Sequence, residues 1–402
     1  MTTLYKHQKD FLALNPNKSS LVWSCGTGKT RTALEWSMLG QGVLVICPKA
    51  LKINWRREAE KYKCSARTAI ITKEEFRRDW QTLFKVNQII VDECHAGFLT
   101  PMFKSQMSKA LKKYLHKHKV PRVLLLSATV YTSSPWNIFN LAFYTGHNWD
   151  WRSFKYEFFN DVRMGMRVIP VVKKGIEPRL AELTRQIASV VDIHDVMDVP
   201  LQNHLDPEYF ALSKEQQKAI KDNYDPLPIV RYTAQHEIEQ GLLIGNEFRE
   251  TRRYASDKMD RIVELCKENK KVAIVCRYNL QIDHLFLLLQ TELKGKQIFA
   301  IHGNVKDRDA ITLASEQATD CIVLIQADCA EGYQLPSFEL CIFASQSYSY
   351  TKWEQICGRF LRMDKPSRTT FMYLLTEGES IDQAVYDSVK RKEDFKIQLY
   401  VK

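Results

Sequence analysis

No apolar run in this sequence is long enough to cross a bilayer, which argues against a membrane-spanning helix. None of its ten cysteines forms a C-x-x-C pair, and no Cys/His cluster has zinc-ligand spacing. The cysteines stand singly, mostly in apolar runs such as "VLVICPKA" and "KVAIVCRY". That is the pattern of buried thiols in a reducing compartment. The opening stretch "MTTLYKHQKDF" lacks the apolar core of a signal peptide, so a cytoplasmic protein is expected. No short repeat or low-complexity tract is present, which argues against a solenoid or a fibrous chain. Negative charge is in deficit, with 47 acidic residues against 58 Lys and Arg, a net charge of +11. Such an excess favours an anionic partner such as nucleic acid, although a protein can also be basic without one.

What remains is a chain of 402 residues, 45% hydrophobic and 26% charged, enough for two or more globular domains. Short β-rich apolar runs alternate with helix-periodic stretches. In the first part the runs are "SLVW", "GVLVICP", "RTAIIT", "NQIIVDE" and "RVLLLSAT". Continuous apolar runs of this kind read as parallel strands buried on both faces. After about Trp149 the rhythm breaks, and prolines interrupt a helical or irregular region. It returns with "KVAIVCRY", "QIFAIHG", "CIVLIQA", "LCIFAS" and "TTFMYLL". The expected organisation is a first α/β domain over 1–150, a helical linker region over 151–255 and a second α/β domain over 256–402.

"SLVWSCGTGKTRTALEWSML" reads strand, glycine-rich turn, helix, the context that a phosphate loop requires. Gly26 and Gly28 let the backbone approach phosphate oxygens, with Thr27 between them. Lys29 would reach the terminal phosphates, and the Thr30 hydroxyl would hold magnesium at the helix N-terminus. The general pattern wants a further glycine where this chain has Trp23. Next comes "NQIIVDECHAGF", a strand that delivers Asp92 and Glu93 to the carboxyl edge of the sheet, where nucleotides bind in open α/β folds. Asp92 would complete the magnesium shell, and Glu93 would orient and deprotonate the attacking water. In "RVLLLSAT", Ser127 and Thr129 are hydroxyls suited to relaying nucleotide state. Far along the chain, "QICGRFLR" holds Gln355, Gly358, Arg359 and Arg362. On a helix Gln355, Arg359 and Arg362 share a face, and the arginines could stabilise charge on a transferring phosphate.

These motifs resemble, in kind and order, those of the superfamily 2 helicases. "LYKHQKDFL" resembles the family's adenine-side glutamine motif, with Gln8 in that role, and "GTGKT", "VDECH", "LSAT", "DCAEGYQL" and "QICGRFLR" follow. Several stretches look most like the Snf-type translocases, among them "LVICPKALKINWRREAEKY", "AIITKEEFRRD" and "SATVYTSSPWNIFNLAFY". In that group the position of Trp23 is usually acidic, so the missing glycine does not break the loop. Ser345 departs from the usual aspartate after "LCIFA", and the group's Arg-Arg pair is replaced near "SVVDIHDV".

The resemblance implies two tandem RecA-like domains with parallel sheets, joined by the helical linker region, with ATP and Mg2+ as cofactors. It adds Gly332 to the nucleotide site. It assigns backbone-phosphate contacts to Pro48, Lys49 and Thr72 in the first domain, and to Arg277, Gly303 and Arg308 in the second. The basic run Lys109 to Arg122, with Tyr114 among the charges, is either a further phosphate grip or a solvated helix face. The function expected is an ATP-dependent translocase or helicase, monomeric, on duplex or branched DNA. An RNA helicase and a nucleotide-gated scaffold with weak turnover are the alternatives.

Overall fold

In the computed structural model every apolar run named above forms a parallel strand. The structure describes residues 3–40, 42–100, 103–128, 134–164, 167–196, 202–245, 250–303, 305, 307–329, 332–361, 369–397 and 400. The first set of strands is β1 (Lys18–Trp23), β2 (Val43–Cys47), β3 (Thr68–Thr72), β4 (Gln88–Val91) and β5 (Arg122–Ser127). A hairpin of β6 (Phe159–Met164) and β7 (Arg167–Val172) follows, then the short β8 (Ser189–Val191). The first sheet has the order β3-β2-β4-β5-β1-β8, parallel throughout. Successive side chains go to opposite faces. Leu44, Ile46, Ile89, Val91, Val123 and Leu125 enter one core, while Val43, Val45, Ile90, Leu124 and Leu126 enter the other.

The second set comprises β9 (Asn203–His204), β10 (Glu208–Phe210), β11 (Leu242–Leu243), β12 (Arg252–Arg253), β13 (Lys271–Cys276), β14 (Gln297–Ile301), β15 (Cys321–Gln326), β16 (Leu340–Phe343) and β17 (Thr370–Thr376). Its main sheet runs β10-β17-β16-β13-β15-β14, again parallel, with β9 beside β17, and β11 and β12 form a separate pair. It too is buried on both faces, with Ala273, Val323 and Phe343 in one core and Val272, Ile322 and Ile342 in the other. Two parallel sheets with helices between their strands agree with the α/β class expected from the sequence.

The chain divides into two compact units, Met1–Asp198 and Val199–Lys402. The stretch 151–255, read from sequence as a linker region, is shared between them. Phe154, Phe158, Leu180, Leu183 and Ile187 bury into a core of the first unit. Tyr232 packs with Ile381, Val385 and Val389 in the second. Part of this stretch is neither helical nor irregular: β6 and β7 pair antiparallel from Phe159↔Val172 to Met164↔Arg167. Pro170 is tolerated there because each strand of a two-stranded ribbon has a free edge. All ten cysteines are free thiols. Among the described residues no helix is long and apolar enough to cross a membrane.

Candidate functional site

Because the first sheet is parallel, every loop leaving a strand's carboxyl end lies along one edge, and the candidate residues collect there. After β1 the chain turns into the helix Lys29–Met38. Gly26 and Gly28 both have φ of 82°, left-handed backbone that favours glycine. A Cβ on Gly28 would also meet Gln8 Nε2 at 2.4 Å. Gln8 is buried, donating from Nε2 to Gly28 O (3.3 Å) and accepting from Tyr5 N (2.9 Å). The glutamine expected beside adenine thus braces the loop directly. Thr27 Oγ1 donates to Ser24 O (2.7 Å), and His7 Nε2 lies 2.9 Å from Thr27 O. Lys29 Nζ donates to Trp23 O (2.6 Å) and Ser24 O (3.2 Å), and Thr30 follows in the first helical turn, half-buried.

Trp23 is wholly buried among Phe11, Leu21 and Leu34. Its Nε1 donates to Ser189 Oγ (2.9 Å), and the rings of His7 and Phe11 meet it edge-on. Its side chain packs the sheet instead of crowding the turn, so glycine is not required there.

β4 ends in the acidic pair. Both Asp92 oxygens are held: Oδ2 accepts from Trp55 Nε1 (2.8 Å), and Oδ1 accepts from Glu93 N (2.9 Å). Burial, then the neighbouring Glu93 charge, pushes the Asp92 carboxyl up to about 6, against the opposing pull of Trp55, Lys29 and Lys73. Glu93 has φ of 48°, uncommon for a residue with a side chain. Lys73 clamps this turn, donating to Glu93 O (2.8 Å) and Ala96 O (3.0 Å) from a buried position. His95 Nδ1 lies 3.3 Å from Glu93 Oε2 and 2.9 Å from Ser127 Oγ, which joins the acidic turn to the end of β5. Thr129 lies outside the described residues.

A buried carboxylate with an acidic neighbour is short of positive charge. Each carboxylate oxygen can accept more than the one bond it has here. The carboxylate oxygens of Asp92 and the hydroxyl expected from Thr30 are hard donors of the kind magnesium takes, an ion that uses few protein ligands and completes its shell with phosphate and water. Trp55, Lys73 and His95 were not singled out from sequence, yet each lies within a stretch quoted above. Their roles depend on which backbone turns fold against which.

The expected phosphate contacts also fall at carboxyl edges. Pro48 and Lys49 follow β2, with Lys49 exposed. Thr72 ends β3, and its hydroxyl caps the helix Lys73–Asp79 by accepting from Glu75 N. In the second unit Arg277 follows β13 and exposed Gly303 follows β14. Arg308 opens the helix Arg308–Gln317 and donates to His302 O (3.3 Å). The basic run forms the helix Gln106–His118, but Tyr114 is not on its solvent face. It is fully buried, with its hydroxyl donating to Phe84 O (2.7 Å), because helical periodicity aligns it with Ala110 and Leu111.

The helix Tyr350–Gly358 carries Gln355, whose buried amide finds no hydrogen-bond partner among the described residues. A buried amide left so is the kind of group a ligand satisfies. Gly332 is buried with φ of 84°, and Arg359 is nearly buried. The helix ends before Arg359, which is its C-cap. The spacing argument that aligned Arg362 with Gln355 therefore loses its helix, and Arg362 lies outside the described residues.

The second unit also buries a charged cluster that no motif announced. Lys258 Nζ donates to Asp382 Oδ2 (2.6 Å) and Gln240 Oε1 (3.1 Å). Asp382 Oδ1 accepts from Gln240 Nε2 (2.8 Å) and lies 3.2 Å from His236 Nε2. Burial alone would raise the Asp382 carboxyl, but Lys258 and His236 outweigh it and hold it well below the usual carboxylate range. His236 Nδ1 lies 2.9 Å from the Tyr348 hydroxyl, and the Arg277 guanidinium stands 3.5 Å from the centre of the Tyr348 ring. Ser345, the departure noted above, accepts from Arg277 N (2.8 Å) and donates to Gln281 (2.6 Å).

A glycine-rich turn and an acidic turn lie on one parallel sheet, and a second parallel sheet follows in the same chain. Residues 257–364 match the helicase conserved C-terminal domain family, a span that includes β13 to β16 and the helix with Gln355. Over that span the chain is similar to helicase C-terminal domains. Among solved structures, the Sulfolobus solfataricus SWI2/SNF2 ATPase core in complex with dsDNA aligns over 97% of this chain and 91% of that chain, with 18% identity and a TM-score of 0.42. No curated protein matches.

Proposed function

We propose that this chain is an ATP-dependent nucleic-acid translocase or helicase of the Snf type, acting on duplex or branched DNA. The observation that carries the proposal is the carboxyl edge of the first sheet, where the phosphate loop, the under-neutralised Asp92 and the Glu93–His95–Ser127 contacts converge. Lys29 and the loop amides would bind the phosphates of ATP, and Thr30 and Asp92 would hold magnesium. That ion, when bound, supplies charge neutralisation on the phosphates. Glu93 would take the proton from the attacking water, with His95 beside its carboxylate. Arg359 and Arg362 would complete the site when the two domains close on one nucleotide. Pro48, Lys49, Thr72, Arg277, Gly303 and Arg308 would grip the nucleic-acid backbone in turn.

The deciding experiment is steady-state ATPase with blunt duplex DNA, forked DNA, single-stranded RNA and no nucleic acid, at low and moderate salt. DNA should stimulate turnover, and Glu93→Gln should abolish most of it while nucleotide still binds. Stimulation by RNA alone would replace DNA with RNA as the track. Equal turnover under all conditions would leave a nucleotide-gated scaffold.

A further inference from the structure

The helix Trp151–Phe158 and the hairpin β6–β7 border an open cavity of about 560 Å³, outside every motif described above. Phe154 and Phe158 anchor the helix in the core, and Asp150 caps its start by accepting from Ser153 N (2.8 Å). Two aromatic rings of the same helix do not join that core. Tyr156 is 84% exposed and Trp151 is 44% exposed. Both line the cavity, together with Arg152, Lys155, Lys173 and, as the one carboxylate among the described residues there, Asp161. Lys155 pairs with Asp161 (2.7 Å), so Arg152 and Lys173 leave the lining positive. The Arg152 guanidinium stands 5.7 Å from the Trp151 ring centre, and Lys173 Nζ stands 5.3 Å from that of Tyr156. Lys173 Nζ also donates to Tyr156 O (2.7 Å), which ties β7 to the helix.

We propose that this groove binds unpaired nucleotides, with bases stacking on Trp151 and Tyr156 and with Arg152 and Lys173 on the phosphates. Exposed rings beside cations suit this ligand because every base has a π-face and every linkage a negative charge. Duplex DNA offers less, since its base faces are already covered by neighbouring base pairs. The inference rests on the nucleic-acid reading above and adds what that reading lacks, a place for a strand whose partner has left. It requires none of the residues assigned to ATP.

The test is fluorescence anisotropy without ATP, using labelled oligothymidylate and a labelled blunt duplex. Trp151→Ala/Tyr156→Ala should bind oligothymidylate about tenfold or more weakly, from the loss of stacking on two rings. Blunt-duplex affinity should stay within about twofold on the same reasoning, because paired bases do not stack on the rings. Tyr156→Ala alone, at so exposed a position, should keep the wild-type melting temperature and show part of the loss. Arg152→Gln/Lys173→Gln should flatten the salt dependence of oligothymidylate binding. If the wild type binds no nucleic acid at all, the motor reading falls and this inference with it. If the wild type binds oligothymidylate and the double aromatic variant binds it equally well, the groove alone is overturned, and its exposed rings would suit a protein partner. Equal losses on single strand and duplex would also overturn it, since stacking on unpaired bases predicts a difference.

Discussion

Each unit buries a carboxylate at the carboxyl side of its sheet, and burial acts on the two in the same direction. Asp92 in the first unit ends up raised, to about 6, because burial and then the Glu93 charge outweigh its hydrogen bond from the Trp55 indole and the pull of Lys29 and Lys73. Asp382 in the second ends up well below its ordinary range because Lys258 and His236 face it. In the second cluster the charge of Asp382 is countered from within. The first remains electrostatically incomplete, and a divalent cation with phosphates would complete it. Buried charge is thus balanced differently in the two units, and the proposed function gives the imbalance at Asp92 a use.

The contrast can be broken most sharply by giving the second unit a share in the first unit's chemistry. Arg362→Ala should lower ATP turnover by roughly 10³-fold or more, the range of an arginine finger, while nucleotide affinity remains. ATPase at saturating ATP and DNA, alongside fluorescent-nucleotide binding, checks this. Near-normal turnover would leave the chemistry to the first unit alone.

Removing the counter-charge in the second unit comes next. Lys258→Met leaves Asp382 buried without its ammonium, a change that should destabilise by about 3–5 kcal/mol in urea unfolding. A loss below about 1 kcal/mol would mean the cluster is not the keystone its geometry implies. In the first unit, Trp55→Phe removes one donor to a charged carboxylate, and should lower stability by about 1.5–3 kcal/mol. Magnesium with nucleotide should recover more melting temperature in that variant than in the wild type, because the ion takes over the neutralisation.

The smallest effect is in pH. A carboxyl depressed on folding adds stability above its ordinary pKa, near 4, and loses that share as pH falls below it. Thermal melting of Asp382→Asn should therefore start lower than the wild type at neutral pH. The gap should narrow as pH is taken below about 4. Glu239, raised first by burial and then by Asp382, works in the opposite sense and is partly relieved when Asp382 is neutralised, which keeps this effect the smallest. A gap that widens in acid would reverse the sign assigned to Asp382.

Much of this molecule was legible in one dimension. The strands were, because a run such as "VLVIC" that is apolar at every position can only be buried on both faces. So was the order of phosphate loop, acidic pair and "QICGRFLR", since each motif is a local spelling of a local turn. Three readings needed the third dimension. Tyr114 sits among lysines in the sequence yet packs into the core, because periodicity and not adjacency sets which way a helical side chain faces. Pro170 looked like an interruption and lies in a hairpin strand. The helix that would have aligned Gln355 with Arg362 stops before Arg359.

The sequence by itself determined two parallel α/β units, a loop shaped for phosphate and the acidic pair that follows it, because short-range periodicity and turn chemistry are written in neighbouring residues. Only the tertiary structure decided that Trp23 packs toward Ser189, that Trp55 holds Asp92, that Lys73 clamps the turn at Glu93 and that Lys258 meets Asp382. Those contacts join residues 20 to 166 positions apart, and their energies depend on which polar atoms are buried face to face. That pairing is fixed by the packing of whole elements, and no local stretch of sequence encodes it.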